Sequence, residues 1–361
     1  SDIVLVEGAG SPGEINLREG DLANMGFAAA ANLPAVLIGD IHRGGVIASI
    51  AGTFDILPDS DRTRLKAFLI NKFHGDPALF ADGRRFLEER TLSPCLGVIP
   101  HFAEARNLPA EDAVTLEDTL SSHWNKTLIF VLRLPRIANF DDLDPLRLEP
   151  GVDVSFVQPG EAIPGNARLV IIPGSKSTIA DLAALRREGW DIDLKAHARR
   201  GGLVLGLCGG YQMLGKTISD PQGLEGPPGS AEGLGLLDVE TALLPDKTLS
   251  RVSGSHAATG APIEGYEIHL GKTAGADCAR PFALIGDRPD GAVSPSGQVM
   301  GTYLHGCFGS DEFRAKFLKS LGFQASTLRF EETIERTLDG LARHLEAHLD
   351  LDRLMALAEE V

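Results

Sequence analysis

The stretch Gly202-Leu203-Val204-Leu205-Gly206-Leu207-Cys208-Gly209-Gly210-Tyr211-Gln212 decides how this chain is read. Residues 203–207 form a short apolar run, which predicts a buried strand, and the run ends on a cysteine followed at once by two glycines. A strand that delivers Cys208 to a tight turn fixes its sulfur, and the glycines let backbone N–H groups approach a reacting carbonyl. The N-terminus of a helix beginning there favours negative charge on the sulfur and on a developing oxyanion. Cys208 is therefore expected to be a nucleophile and not a buried structural thiol, the commoner fate of a lone cysteine.

Similar apolar runs lie outward from this point, at residues 127–132, 152–156, 169–172, 265–269 and 299–304. Toward the N-terminus, runs at 3–6, 35–38, 67–70 and 96–99 alternate with helical patterns at 22–31, 46–54 and 78–90. Alternation of this kind predicts an α/β protein with parallel sheets, whose functional residues collect beyond strand C-termini. Glu7, Asp40 and Asn71 hold such positions. Residues 100–125 are polar and acidic and read as a connection, and the Gly- and Pro-rich residues 220–232 read as a surface loop. Apolar positions recurring from Ile334 to Leu354 predict an amphipathic helical tail. The expected division is a first domain at 1–125, a second at 126–321 and a tail at 322–361.

Bulk properties narrow the classes. Of 361 residues, 43% are hydrophobic and 23% charged, ordinary for a globular protein, and the length suggests two domains. A net charge of −16 argues against nucleic acid as a partner. No run of about 18 apolar residues predicts a membrane span. Four cysteines without paired spacing fit a reducing compartment such as the cytoplasm.

A cysteine nucleophile needs a base. His305, in Gly301-Thr302-Tyr303-Leu304-His305-Gly306, follows an apolar strand and is the preferred candidate; His269, in Glu264-Gly265-Tyr266-Glu267-Ile268-His269, competes. An imidazole beside the thiol raises its thiolate fraction, and the imidazolium can donate to a departing amine. His197, His344 and His348 lie on charged helical stretches and are expected to be solvated. Gly209 N–H is one expected oxyanion donor, and the turn Pro173-Gly174-Ser175-Lys176 would supply the other.

Residues 126–320 resemble class I, triad-type glutamine amidotransferases, in which a motif cysteine attacks the glutamine side-chain amide and releases ammonia. The resemblance implies Cys208 as nucleophile, His305 as base, Gly174 and Gly209 in the oxyanion hole, and Gln212 helping to seat glutamine. Most such enzymes carry an acidic residue two positions after the histidine, where Cys307 stands here. That departure is typical of the branch that amidates cobyric and cobyrinic acids, and Glu267 is a candidate substitute.

Four further segments resemble the cobyric acid synthase family: Val6-Glu7-Gly8-Ala9-Gly10-Ser11-Pro12-Gly13-Glu14-Ile15-Asn16-Leu17, Gly39-Asp40-Ile41-His42-Arg43-Gly44-Gly45, Ile70-Asn71-Lys72-Phe73-His74-Gly75-Asp76 and Leu134-Pro135-Arg136-Ile137-Ala138-Asn139-Phe140-Asp141-Asp142-Leu143. The resemblance covers essentially the whole chain. It implies glutamine- and ATP-dependent amidation of the b, d, e and g carboxylates of adenosylcobyrinic acid a,c-diamide, a corrinoid, with no prosthetic group. The first domain would be part of a P-loop, dethiobiotin synthetase-like fold using Mg-ATP. Glu7 and Asp40 would lie at the Mg²⁺ and Asn71 would contact adenine. His42 stands where the family usually has a second aspartate. The chain contains no G-x-x-x-x-G-K-[ST] loop, which the family carries upstream of the point where this sequence starts, so the chain is expected to be the C-terminal three-quarters or so of such an enzyme. The rival readings are cobyrinic acid a,c-diamide synthase, which shares both halves, and a non-catalytic paralogue that only binds a partner or corrinoid.

Overall fold

Alternate residues of the strand Ile129–Leu132 enter two different hydrophobic clusters, Ile129 and Val131 one, Phe130 and Leu132 the other. A strand covered on both faces needs this unbroken apolar run, and each such fully buried side chain contributes roughly 1.5–3 kcal/mol. The computed structural model describes residues 3–42, 44–109, 128–324 and 327–358, in two compact units: Ser1–Ala105 with Arg336–Val361, and Arg106–Glu335.

The first unit holds three parallel strands in the order β1 (Ala35–Asp40), β2 (Leu65–Phe73) and β3 (Cys95–Pro100). The helices Val46–Ile56 and Ala81–Thr91 contribute Val46, Ile50, Phe54 and Leu87 to its core. Residues 3–6 form no strand; Val4 and Leu5 are 73% and 82% exposed. Apolar composition makes a strand only where a ladder partner is available, and this segment has none among the described residues. The helices Phe330–His348 and Leu351–Met355 fulfil the helical expectation at the C-terminus. Their end docks on β3, where Asp350 N–H donates to the Leu96 carbonyl at 2.8 Å, so it completes the first unit.

The second unit contains β4 (Ile129–Leu132), β5 (Ile137–Ala138), β6 (Val154–Val157), β7 (Leu169–Ile172), β8 (Gly174–Ser175), β9 (Leu203–Leu207), β10 (Thr217–Asp220), β11 (Gly229–Glu232) and β12 (Glu240–His256). It continues with β13 (Pro262–Ala274), β14 (Ala283–Ile285), β15 (Arg288–Asp290), β16 (Ala292–Val293), β17 (Val299–Thr302) and β18 (Leu304–His305). Its central sheet runs β16-β17-β9-β7-β4-β6, parallel except for β16. A second sheet runs β11-β10-β12-β13-β18, with β14 and β15 at its side, and β5 pairs β8 in a small ladder. The expected loop at 220–232 is a loop only in part, because 229–232 pairs antiparallel with β10. Most of the expected connection falls on residues 110–127, outside the described residues.

Candidate active site

Cys208 is held by the way β9 runs into the helix Gly209–Leu214. A Cβ on Gly206 would lie 2.6 Å from the Gly210 carbonyl carbon, and one on Gly210 would lie 2.0 Å from the Ile172 oxygen. Only glycine lets the helix turn back so tightly on β9 and β7. The turn drives Cys208 to φ 49° and ψ −106°, a sparsely populated region for a residue with a side chain, which costs on the order of 1–3 kcal/mol. The sulfur is half-buried and lies 3.5 Å from the Ile268 carbonyl oxygen.

His305 ends β18 and is fully buried, its ring stacked on Tyr266 with centroids 5.3 Å apart. Its Nδ1 bonds Asp142 Oδ2 at 2.7 Å, while Asp142 Oδ1 accepts the Gly306 N–H at 2.6 Å. A carboxylate only accepts, so Nδ1 carries a proton in either charge state, and Nε2 is the atom that exchanges a proton with the thiol. Nε2 is buried without a hydrogen-bond partner among the described residues, and Cys208 lies near enough to favour the imidazolium. Burial opposes charge on this ring, but Asp142 outweighs it with help from Cys208, and the pKa is pushed up to about 10.

The third partner is thus Asp142 and not Glu267. Both Glu267 oxygens accept from Arg288 Nη2 at 2.7 Å, and the β13–β18 register sets Tyr266, not Glu267, opposite His305. Cys307 belongs to the hydrophobic core, where burial pushes its thiol well up. His269 stacks on Tyr303 with centroids 3.8 Å apart, and burial lowers its pKa. His197, expected to be solvated, is 2% exposed and bonds the Leu203 carbonyl at 3.1 Å; His344 Nε2 and His348 Nδ1 likewise bond backbone carbonyls, of Pro100 and His344.

The β5–β8 ladder sets which amides near Gly174 are open to the Cys208 turn. Lys176 N–H donates to the Arg136 carbonyl at 2.9 Å, and Ala138 pairs with Gly174 in the β5–β8 ladder. Antiparallel bonding alternates, so Gly174 N–H is turned to Ala138 and Ser175 N–H faces away from β5. Gly209 lies on that open side: a Cβ on it would be 3.0 Å from Ser175 N. Ser175 N–H therefore opens on the Gly209 side of the ladder, and Gly174 N–H does not. Gln212 is 2% exposed, and its amide is committed to Leu270 O (3.0 Å), Tyr303 OH (3.1 Å) and Thr178 Oγ1 (3.1 Å). It braces the pocket wall from below the Cys208 turn.

In the first unit, Asp40 and Asn71 are register partners at the C-terminal ends of β1 and β2. Asp40 bonds Lys72 Nζ and the His42 N–H, each at 2.8 Å; against the effect of burial, these hold its carboxyl below the usual range. Asn71 Oδ1 accepts the Lys72 N–H at 2.8 Å. Glu7 lies in the exposed segment that joins no strand. No group of three or more His, Cys, Asp or Glu among the described residues is arranged to hold a metal ion.

Residues 128–313 match the family profile described as a CobB/CobQ-like glutamine amidotransferase domain, so the second unit, with Cys208 on its elbow, is of that class. Cobyric acid synthase of Cereibacter sphaeroides is 59% identical over 99% of this chain and 74% of that protein. That of Methylocella silvestris is 58% identical over 99% of this chain and 75% of that protein. The chain belongs to the cobyric acid synthase family. A crystal structure titled a glutamine amidotransferase aligns with 54% of this chain and all of its own, at 19% identity and a TM-score of 0.41. Among the described residues no helix is long and apolar enough to cross a membrane.

Proposed function

We propose that the second unit hydrolyses L-glutamine at Cys208 and that the ammonia amidates the b, d, e and g carboxylates of adenosylcobyrinic acid a,c-diamide in the cytoplasm, giving cobyric acid. The observation that carries the hydrolytic half is the bond from His305 Nδ1 to Asp142, which leaves Nε2 to serve Cys208. Nε2 holds the thiol proton as the sulfur attacks the side-chain amide carbon of glutamine. The former carbonyl oxygen becomes an oxyanion between the Gly209 and Ser175 amides. When the intermediate collapses, the C–N bond breaks, the imidazolium gives its proton to the leaving nitrogen, and ammonia departs. Water, losing a proton to the same Nε2, then attacks the thioester, and glutamate leaves as Cys208 is restored.

The glutaminase part is assigned to residues 126–321, and the ATP-dependent part to 1–125 with the C-terminal helices. ATP and Mg²⁺ rest on the family resemblance alone. Asp40 is engaged by Lys72 and Glu7 lies in the exposed segment, so the residues account for the reaction as far as ammonia. The test is ammonia release from glutamine by the purified chain and by Cys208→Ala. Parent activity that vanishes in the variant is expected; equal ammonia release from both would refute the assignment.

A further inference from the structure

We infer that Asp181 is a positioning residue that holds the Ser175 amide in the oxyanion site by tying β8 to the chain that enters β5. The inference rests on the hydrolytic reading above. Asp181 lies in the helix Thr178–Arg187 and is completely buried. A buried carboxylate is costly unless donors satisfy it, and here three do. Its Oδ2 accepts from Ser175 Oγ at 2.7 Å and from Arg136 N–H at 3.1 Å, and its Oδ1 faces Arg136 Nη1 at 3.3 Å.

These donors come from both sides of the β5–β8 ladder. Ser175 belongs to β8, and its Oγ also accepts the Ser177 N–H at 3.0 Å, which fixes the turn into the helix. Arg136 immediately precedes β5, and the chain after β5 turns through Phe140–Leu143 to place Asp142 under His305. One carboxylate therefore fixes the strand that presents an oxyanion amide against the chain entering β5, while Asp142 keeps its own bonds to His305 and the Gly306 N–H. Asparagine in its place would turn an NH2 group toward groups that are themselves donors.

The test compares the parent with Asp181→Asn and Ser175→Ala by steady-state glutaminase kinetics, the rate of Cys208 alkylation by iodoacetamide, and hydrogen exchange across residues 173–178. Alkylation needs the Cys208–His305 pair but no oxyanion donors. For Asp181→Asn, kcat is expected to fall about 10- to 100-fold, short of the full loss of a donor, with KM within about twofold. Alkylation should match the parent, and exchange across 173–178 should rise. Ser175→Ala keeps the amide but cuts the tie, so its kcat should fall less, by about 3- to 10-fold; it carries the test if Asp181→Asn does not fold. Parent-like kcat and exchange would overturn the inference, as would alkylation falling in step with kcat, which would place the damage at the Cys208–His305 pair. A parent without glutaminase activity would refute the hydrolytic reading instead, and exchange in the variants would still decide the role of Asp181.

Discussion

Replacing Asp142 by asparagine should disable the site while leaving its shape almost unchanged. The asparagine would present either a carbonyl, which is uncharged, or an NH2 group, which would reverse the His305 tautomer and set Nε2–H against the thiol. The structure sets the scale of the loss. His305 is raised from 6.5 to about 10 against the effect of burial, which is worth about 5 kcal/mol to the imidazolium at 1.36 kcal/mol per pKa unit. Losing most of that in the transition state corresponds to a fall of about 10³-fold in kcat. The assay is ammonia release from glutamine at saturating substrate, beside a thermal melt that verifies folding. Glu267→Gln serves as the comparison, because that carboxylate pairs Arg288 and not His305. Asp142→Asn retaining activity within about threefold of the parent, or losing less than Glu267→Gln, would refute the reasoning.

Two further outcomes follow from the same geometry. A His305 pKa raised above its unfolded value stabilises the fold fully below about pH 6.5, and that contribution is lost as pH rises toward 10. The melting temperature of the parent should therefore fall across this window more steeply than that of Asp142→Asn; parallel curves would show that the pair does not contribute. Gly210→Ala would place a Cβ 2.0 Å from the Ile172 oxygen, so the helix after Cys208 must shift. A destabilisation of roughly 1–3 kcal/mol by urea denaturation is expected, together with slower Cys208 alkylation, and a parent-like variant would count against the tight elbow.

The parts of the site legible in the sequence are those set by near neighbours in the chain. Cys208 and His305 each follow an apolar run, and such runs mark strands buried on both faces whatever the rest of the fold does. Asp142 lies in one of the segments that carry the family resemblance, as the second acidic residue after β5, yet nothing local sets Asp142 apart from Asp141. The distinction is tertiary: Asp142 is buried under His305, 163 residues away in the chain, while Asp141 is exposed. Residues 3–6 mark the reverse limit, since an apolar run does not carry its own ladder partner.

The sequence by itself determined the elbow, because steric demands between Gly206, Cys208, Gly209 and Gly210 act over a few residues, and it determined that a histidine near 305 would serve the thiol. The tertiary structure decided which carboxylate meets His305 and which amide opens on the Gly209 side. Side chains alternate along a strand and antiparallel bonds alternate along a ladder, so a register offset of one residue exchanges Glu267 for Tyr266 opposite His305, and Gly174 for Ser175 beside Gly209. Register is a property of the paired strands, and no single strand encodes it.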